Sequence, residues 1–89
     1  MMEYVITFKN TNHVIKGEQT LIKCGIEVGV MPLPSRIRAG CGLCLRIEPE
    51  MAREALKEFD AKGIVCDAIY SKIIEDDKSK FEMINMEEI

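Results

Sequence analysis

The chain has 89 residues, a net charge of −3 and a hydrophobic fraction of 47%, which predict one small globular domain rather than a disordered chain. The acidic balance disfavours a nucleic-acid-binding surface, and no run approaches the roughly 20 apolar residues of a membrane span. The first residues lack the basic and apolar regions of a signal peptide, so we expect a cytoplasmic protein whose cysteines stay reduced.

The first half of the chain has the pattern of a strand, a helix and a second strand. Residues 3–8 are rich in β-branched and aromatic side chains, which favour a strand. Asn10 is a good helix cap, apolar residues then recur at helical spacing, and Gly25 marks the end of that helix. Residues 26–31 predict a second strand, which ends at Pro32.

The second half repeats this order after a loop. Residues 42–47 predict a third strand, Pro49 fits the first turn of a second helix, and Gly63 ends that helix. A fourth strand is expected within residues 64–74. The order β-α-β-β-α-β is the ferredoxin-like split βαβ arrangement of an α+β protein. We therefore expect a four-stranded antiparallel sheet with two helices on one face.

The last residues differ in composition from the rest. Residues 75–89 contain six acidic residues and two lysines, but also five large apolar side chains. We therefore assign residues 1–74 to a single ferredoxin-like domain and residues 75–89 to an acidic C-terminal tail. The composition leaves open whether this tail is partly ordered or disordered.

The chemically distinctive feature is the pair Cys41 and Cys44, in the run Gly-Cys-Gly-Leu-Cys. Two thiols at this spacing can form a reversible disulfide, supply part of a metal site or pass sulfur between them. Gly40 and Gly42 favour a loop around Cys41, which we expect to be an exposed thiol. Cys44 lies in the predicted strand, where regular alternation would turn it away from Cys41. It is either the reactive partner of Cys41 or a buried core residue.

Three arginines accompany the pair, and no acidic residue lies between Pro34 and Arg46. Arg36, Arg38 and Arg46 would favour a thiolate and could hold an anionic substrate. The alternative is that they form a solvated basic surface.

Metal ligands beyond the pair are few. His13 is the one histidine, and the sequence has no second pair of closely spaced cysteines. We therefore predict no metal site and no cofactor in the chain. Cys24 and Cys66 are expected to be buried structural thiols, since free cysteine is often buried.

Several segments resemble one known family. The strongest is Ile37–Arg46, in which Cys41-Gly42 and Arg46 match the family's pattern, and the resemblance extends from about residue 3 to residue 71. On these residues the chain resembles the selenium/sulfur carrier protein-like family of small bacterial and archaeal domains. Cys44 departs from the pattern, which has a small residue there. This departure makes Cys41 the principal residue and Cys44 an accessory one.

The resemblance implies a small thiol-based carrier that accepts and passes on sulfane sulfur or selenium at Cys41, with Cys44 as a resolving thiol. It also implies a donor enzyme and an acceptor protein, so the chain is more an accessory protein than a stand-alone enzyme. The remaining residues predicted around the substrate are Arg36, Arg38, Gly40, Gly42 and Arg46.

Two other functions stay open. One is a small dimeric module for ligand binding or regulation, because the edges of such a sheet can pair with a second copy as a homodimer. The other is binding of a soft metal such as Cu(I) or zinc through Cys41 and Cys44.

Overall fold

A five-stranded antiparallel sheet organises the fold in the computed structural model, which describes residues 2–37 and 41–89. The strands are β1 (Met2–Thr7), β2 (Val28–Pro32), β3 (Leu43–Ile47), β4 (Ala68–Glu75) and β5 (Lys78–Ile84). The helices are α1 (Thr11–Lys23) and α2 (Ala52–Ala61), with single 3-10 turns at Pro49–Met51 and Met86–Glu88.

The strand order across the sheet is β2-β3-β1-β4-β5. The predicted α+β class is confirmed, but the prediction of four strands is wrong. The first four strands follow the split βαβ order, and β5 extends the sheet beyond the ferredoxin-like arrangement. The additional strand comes from residues that the sequence analysis assigned to an acidic tail.

A tight hairpin explains the fifth strand. Glu75 pairs with Lys78, and the two residues between them, Asp76 and Asp77, have φ values of 48° and 63°. Two consecutive residues with positive φ are typical of the turn that best matches the twist of a two-stranded hairpin. Aspartate tolerates this conformation better than most residues, because its short side chain can bond to the nearby backbone.

The helix ends confirm the predicted capping residues. The Asn10 side chain accepts a hydrogen bond from the His13 backbone N–H at 2.9 Å, which satisfies one free donor of the first turn of α1. Gly25 and Gly63 follow α1 and α2 with φ values of 75° and 70°, where a side chain would be strained. Within residues 2–37 and 41–89, no helix has both the length and the apolar character needed to cross a membrane.

One side of the sheet carries both helices and the larger core. Its buried members are Ile6, Phe8, Val14, Leu21, Ile26, Leu45, Ile47, Ala52, Ala55, Phe59, Ile64 and Ile69. The rings of Phe8 and Phe59 meet edge to face with centroids 5.8 Å apart, which joins β1 to α2. At Gly17 a Cβ atom would lie 3.1 Å from Leu45 Cδ1. The absence of a side chain at this position therefore allows α1 to pack closely against the sheet.

The other side of the sheet has a smaller core, and neither α1 nor α2 covers it. Val5 and Cys44 are fully buried there together with Ile37, from the loop that follows β2. This loop folds back over the sheet, and partly buried side chains complete the cluster. They are Met31, Leu33, Tyr70 and Phe81.

Candidate thiol site

Cys41 lies on a turn that leads into β3. Its backbone N–H donates to the Phe8 carbonyl at 3.4 Å, which ties it to the end of β1. Gly42 has a φ of 82°, a left-handed conformation that favours glycine, and its carbonyl accepts from the Leu33 N–H at 2.9 Å. The turn therefore depends on glycine at position 42 and holds Cys41 at a fixed place beside the central strand.

The Cys41 side chain is half-buried and packs against the helix-side core. Its thiol donates weakly to the Leu43 carbonyl, with Sγ 3.7 Å from the oxygen. Part of this residue remains accessible to solvent. The predicted exposed loop thiol is thus a partly exposed one.

Cys44 lies on the opposite side of the sheet and is fully buried. Its Sγ lies 3.6 Å from the Met31 carbonyl oxygen and 3.8 Å from that of Pro32, both on the neighbouring strand β2. Burial raises the pKa of Cys44 to about 11, and the negative charge of a Cys41 thiolate contributes to this increase. The positive charge of Lys72 lowers the pKa of Cys44 by a smaller amount. Cys44 is therefore protonated at neutral pH.

The structure thus separates the two thiols of the pair. Cys41 packs against the helix-side core and Cys44 belongs to the cluster on the other side. Among residues 2–37 and 41–89, no three or more His, Cys, Asp or Glu side chains cluster as metal ligands do.

Two of the three predicted arginines, Arg46 and Arg36, make contacts with other parts of the fold. Arg46 Nη1 pairs with Glu3 Oε2 at 2.8 Å, and its guanidinium lies over Gly29. Arg46 lies on β3, five residues after Cys41 in the sequence. Arg36 donates from Nη1 to the Ser79 carbonyl at 3.2 Å, on the edge strand β5.

The structure brings neither of these two arginines to the Cys41 sulfur. Arg38 and Gly40, the other predicted site residues of this loop, lie outside the described residues. Their placement beside the thiol therefore stays a prediction.

The remaining cysteines behave differently from each other. The expectation that Cys24 is buried is wrong, because it caps the C-terminus of α1 and is exposed. Desolvation by its surroundings and the charge of Glu58 raise the pKa of Cys24. Cys66 is partly buried against the helix-side core, and burial raises its pKa. Neither cysteine lies in an environment that favours the reactive thiolate.

His13 has a structural contact. Its Nδ1 accepts a hydrogen bond from the Val65 backbone N–H at 3.2 Å, which joins the first turn of α1 to the segment before β4. Sequence reasoning missed Lys72, whose ammonium group acts on the Cys44 thiol across the sheet face. Only the pairing of β4 with β1 reveals this, because Lys72 lies 28 residues from Cys44 in the sequence.

Comparison with known proteins gives one match. Residues 3–71 match the model of the family described as "Putative Se/S carrier protein-like". The match covers more than half of the chain and includes Cys41 and Cys44. Searches of curated proteins and of solved structures gave no significant match.

Proposed function

The chain belongs to the Se/S carrier protein-like family, and we propose that Cys41 is the thiol that carries the sulfur or selenium atom. The observation that supports this choice is the different exposure of the two thiols. Cys41 is partly exposed on a glycine-dependent turn, whereas Cys44 is fully buried. A donor can reach only the first of them without opening the sheet.

The chemistry begins with the Cys41 thiolate, because thiolates and not thiols attack disulfide-type sulfur. The thiolate attacks the terminal sulfur of a donor persulfide, R–S–SH. A new S–S bond forms at Cys41 while the S–S bond of the donor breaks, and the donor leaves as the thiolate R–S⁻. Cys41 then holds the group as Cys41–S–SH. A donor R–S–SeH would give the corresponding selenosulfide by the same displacement.

Delivery repeats the displacement in the other direction. A nucleophile on an acceptor attacks the terminal sulfur or selenium, and Cys41 leaves as the thiolate. No net oxidation of the carrier occurs, so this route needs no separate oxidant or reductant. A carrier family implies a donor and an acceptor in general, and we propose that both dock at the β1–β3 end of the sheet, where Cys41 lies.

Cys44 takes a subordinate part in this proposal. Attack by Cys44 on Cys41 Sγ would release the cargo as hydrosulfide and leave a disulfide between the two residues. That reaction needs Cys44 to leave its buried contacts with the carbonyls of Met31 and Pro32, and to lose its proton despite a pKa of about 11. We therefore propose that resolution by Cys44 occurs only when the edge formed by β2 and β3 opens.

The direct test is loading of the purified protein with a small persulfide such as glutathione persulfide, read by intact-mass and peptide mass spectrometry. We expect one added sulfur atom, on the peptide that contains Cys41. The Cys41→Ser variant should take up none. Cys24→Ser is the matched control, because it removes an exposed thiol on the far end of α1 and should load as the wild type does. Loading confined to Cys24 or Cys66 would contradict the proposal.

A second comparison separates the roles of the pair. The Cys44→Ala variant should load fully and should keep its persulfide at least as long as the wild type. Loss of loading in Cys44→Ala, with the fold intact by circular dichroism, would restore a mechanism in which both thiols act as one unit.

A further inference from the structure

A shallow depression lies on the sheet face opposite the helices, with a volume of about 500 Å³. Its cationic side chains come from three separate segments: Arg36 from the loop after β2, Lys72 from β4 and Lys78 from the start of β5. Side chains of Met31 and Phe81 supply an apolar part of its lining. The size falls within the range of small-molecule sites in proteins.

The three cations of the depression form no ion pair among the described residues. Asp77 also lines it, so the three cations and one carboxylate leave a net charge of +2. In the part of the chain that the structure describes, Arg46 and Glu3 form the one ion pair, and none of the three cations takes part in it. This net charge of +2 describes the lining of the depression alone, because the adjoining surface around Arg36 and Lys78 also carries Glu75, Asp76 and Lys80.

Two of the three cations, Arg36 and Lys72, are positioned by contacts or pairing within the fold. Arg36 Nη1 donates to the Ser79 carbonyl at 3.2 Å, which joins the loop to β5. Lys72 pairs directly with Phe81 across β4 and β5, so the two side chains lie on the same face. Lys72 lies on β4, which is flanked by β1 and by the edge strand β5.

We propose that this depression binds a phosphate monoester that carries a flat apolar group. The dianionic phosphate matches the net charge of +2, and the arginine fork and lysine ammonium groups are the usual phosphate-binding side chains. The apolar group would cover Phe81 and Met31, which are partly exposed at present. Lys72, Lys78 and Phe81 lie beyond the matched residues 3–71, so the site depends on the fifth strand of this chain.

The proposal is independent of the carrier function, because Cys41 faces the other side of the sheet. The test is a titration of the whole, isotopically labelled chain with phenyl phosphate, followed by the amide resonances in two-dimensional NMR. We expect saturable shifts at Lys72, Ser79 and Phe81. Inorganic phosphate and benzyl alcohol, which each present half of the ligand, should both bind more weakly.

The variants identify the site. Lys72→Met and Lys78→Met should each weaken phenyl phosphate binding roughly tenfold, because each removes one charge-assisted contact. Lys57→Met, which removes an exposed charge on α2, should change it less than twofold. Cys41→Ser should bind as the wild type does. Thermal unfolding of each variant checks that the fold is retained.

Three results would overturn the proposal. The first is the absence of saturable shifts. The second is benzyl alcohol or inorganic phosphate binding as tightly as phenyl phosphate. The third is shifts confined to the groove between α1 and α2, which is lined by another set of lysines and is the competing basic surface of the chain. These lysines are Lys16, Lys23 and Lys62.

Discussion

The buried thiol of Cys44 makes folding stability depend on alkaline pH. Its pKa is raised from 9.0 to about 11 in the folded state, so the folded protein retains a proton that the unfolded chain loses more readily. Below pH 9 both states are protonated and the stabilisation is fully present. As the pH rises from 9 towards 11, the unfolded chain ionises first and stability is lost.

The size of the effect follows from the shift. At about pH 10 the unfolded thiol is mostly ionised and the folded one mostly protonated, so the loss is about 1.4 kcal/mol, which corresponds to one pKa unit. The limit above pH 11 is about 2.7 kcal/mol for the full shift. For a domain of this size, whose total stability is about 5 kcal/mol, the smaller value is already measurable.

The assay is urea unfolding followed by circular dichroism at pH 8 and at pH 10, for the wild type and for Cys44→Ala. The variant loses packing at both pH values, but its alkaline loss should be about 1.4 kcal/mol smaller than that of the wild type. Lysines and tyrosines titrate in both proteins and cancel in the difference. Cys41→Ser should show an intermediate loss, because it removes the neighbouring charge that raises the pKa of Cys44. An equal alkaline loss in wild type and Cys44→Ala would refute the reasoning.

Three further changes test the fold around the site. Gly42→Ala places a side chain at a φ of 82°, although no atom lies within 4 Å of the new Cβ. The backbone strain alone should therefore destabilise the fold by about 1–2 kcal/mol and slow persulfide loading. An unchanged urea midpoint and loading rate would contradict this prediction. Gly17→Val forces α1 away from Leu45 and should lower the free energy of unfolding, measured in urea, by about 1–3 kcal/mol. An unaltered urea midpoint would mean that α1 can shift to accommodate the larger side chain at no cost. Ending the chain after Glu75 removes β5 and exposes the edge of β4. The lost burial of Phe81 and Ile84 should lower the free energy of unfolding by about 2–3 kcal/mol. A truncated chain with the thermal stability of the wild type would show that β5 does not contribute.

Local sequence patterns were sufficient for most elements of the fold. Asn10, Gly25 and Gly63 each act through their own backbone conformation or a contact three residues away, so their roles can be predicted without tertiary information. The fifth strand was missed for the opposite reason. The acidic composition of residues 75–89 indicated a tail, although Phe81 and Met83 alternate with polar residues as in a strand. The two aspartates of the hairpin turn are also a weaker turn signal than the Asn-Gly pair typical of such hairpins.

At the thiol site too, some features could be predicted from the local sequence and others depend on the tertiary fold. The sequence predicted Cys44 in a strand and Cys41 in the loop before it, and left open whether Cys44 is the partner of Cys41 or a buried core residue. In the structure Cys44 is buried on the side of the sheet opposite the core that Cys41 contacts. The arginines were grouped with Cys41 because they are close in sequence. Their actual partners, Glu3 for Arg46 and the Ser79 carbonyl for Arg36, are each 43 residues away and depend on strand pairing that sequence spacing does not reveal.

The separation of the two thiols has a consequence for the proposed carrier. A persulfide on Cys41 survives only as long as no nearby thiolate attacks it, because such an attack releases the cargo and leaves a disulfide. Cys44 is the nearest thiol in the sequence, yet it is buried on the other side of the sheet, hydrogen-bonded to β2 and protonated at neutral pH. In the proposed mechanism, the separation of the two thiols protects the persulfide on Cys41 from attack by Cys44 and leaves its release to an external acceptor. A carrier built in this way should lose its persulfide faster under mild urea, which opens the β2–β3 edge, and Cys44→Ala should abolish that acceleration.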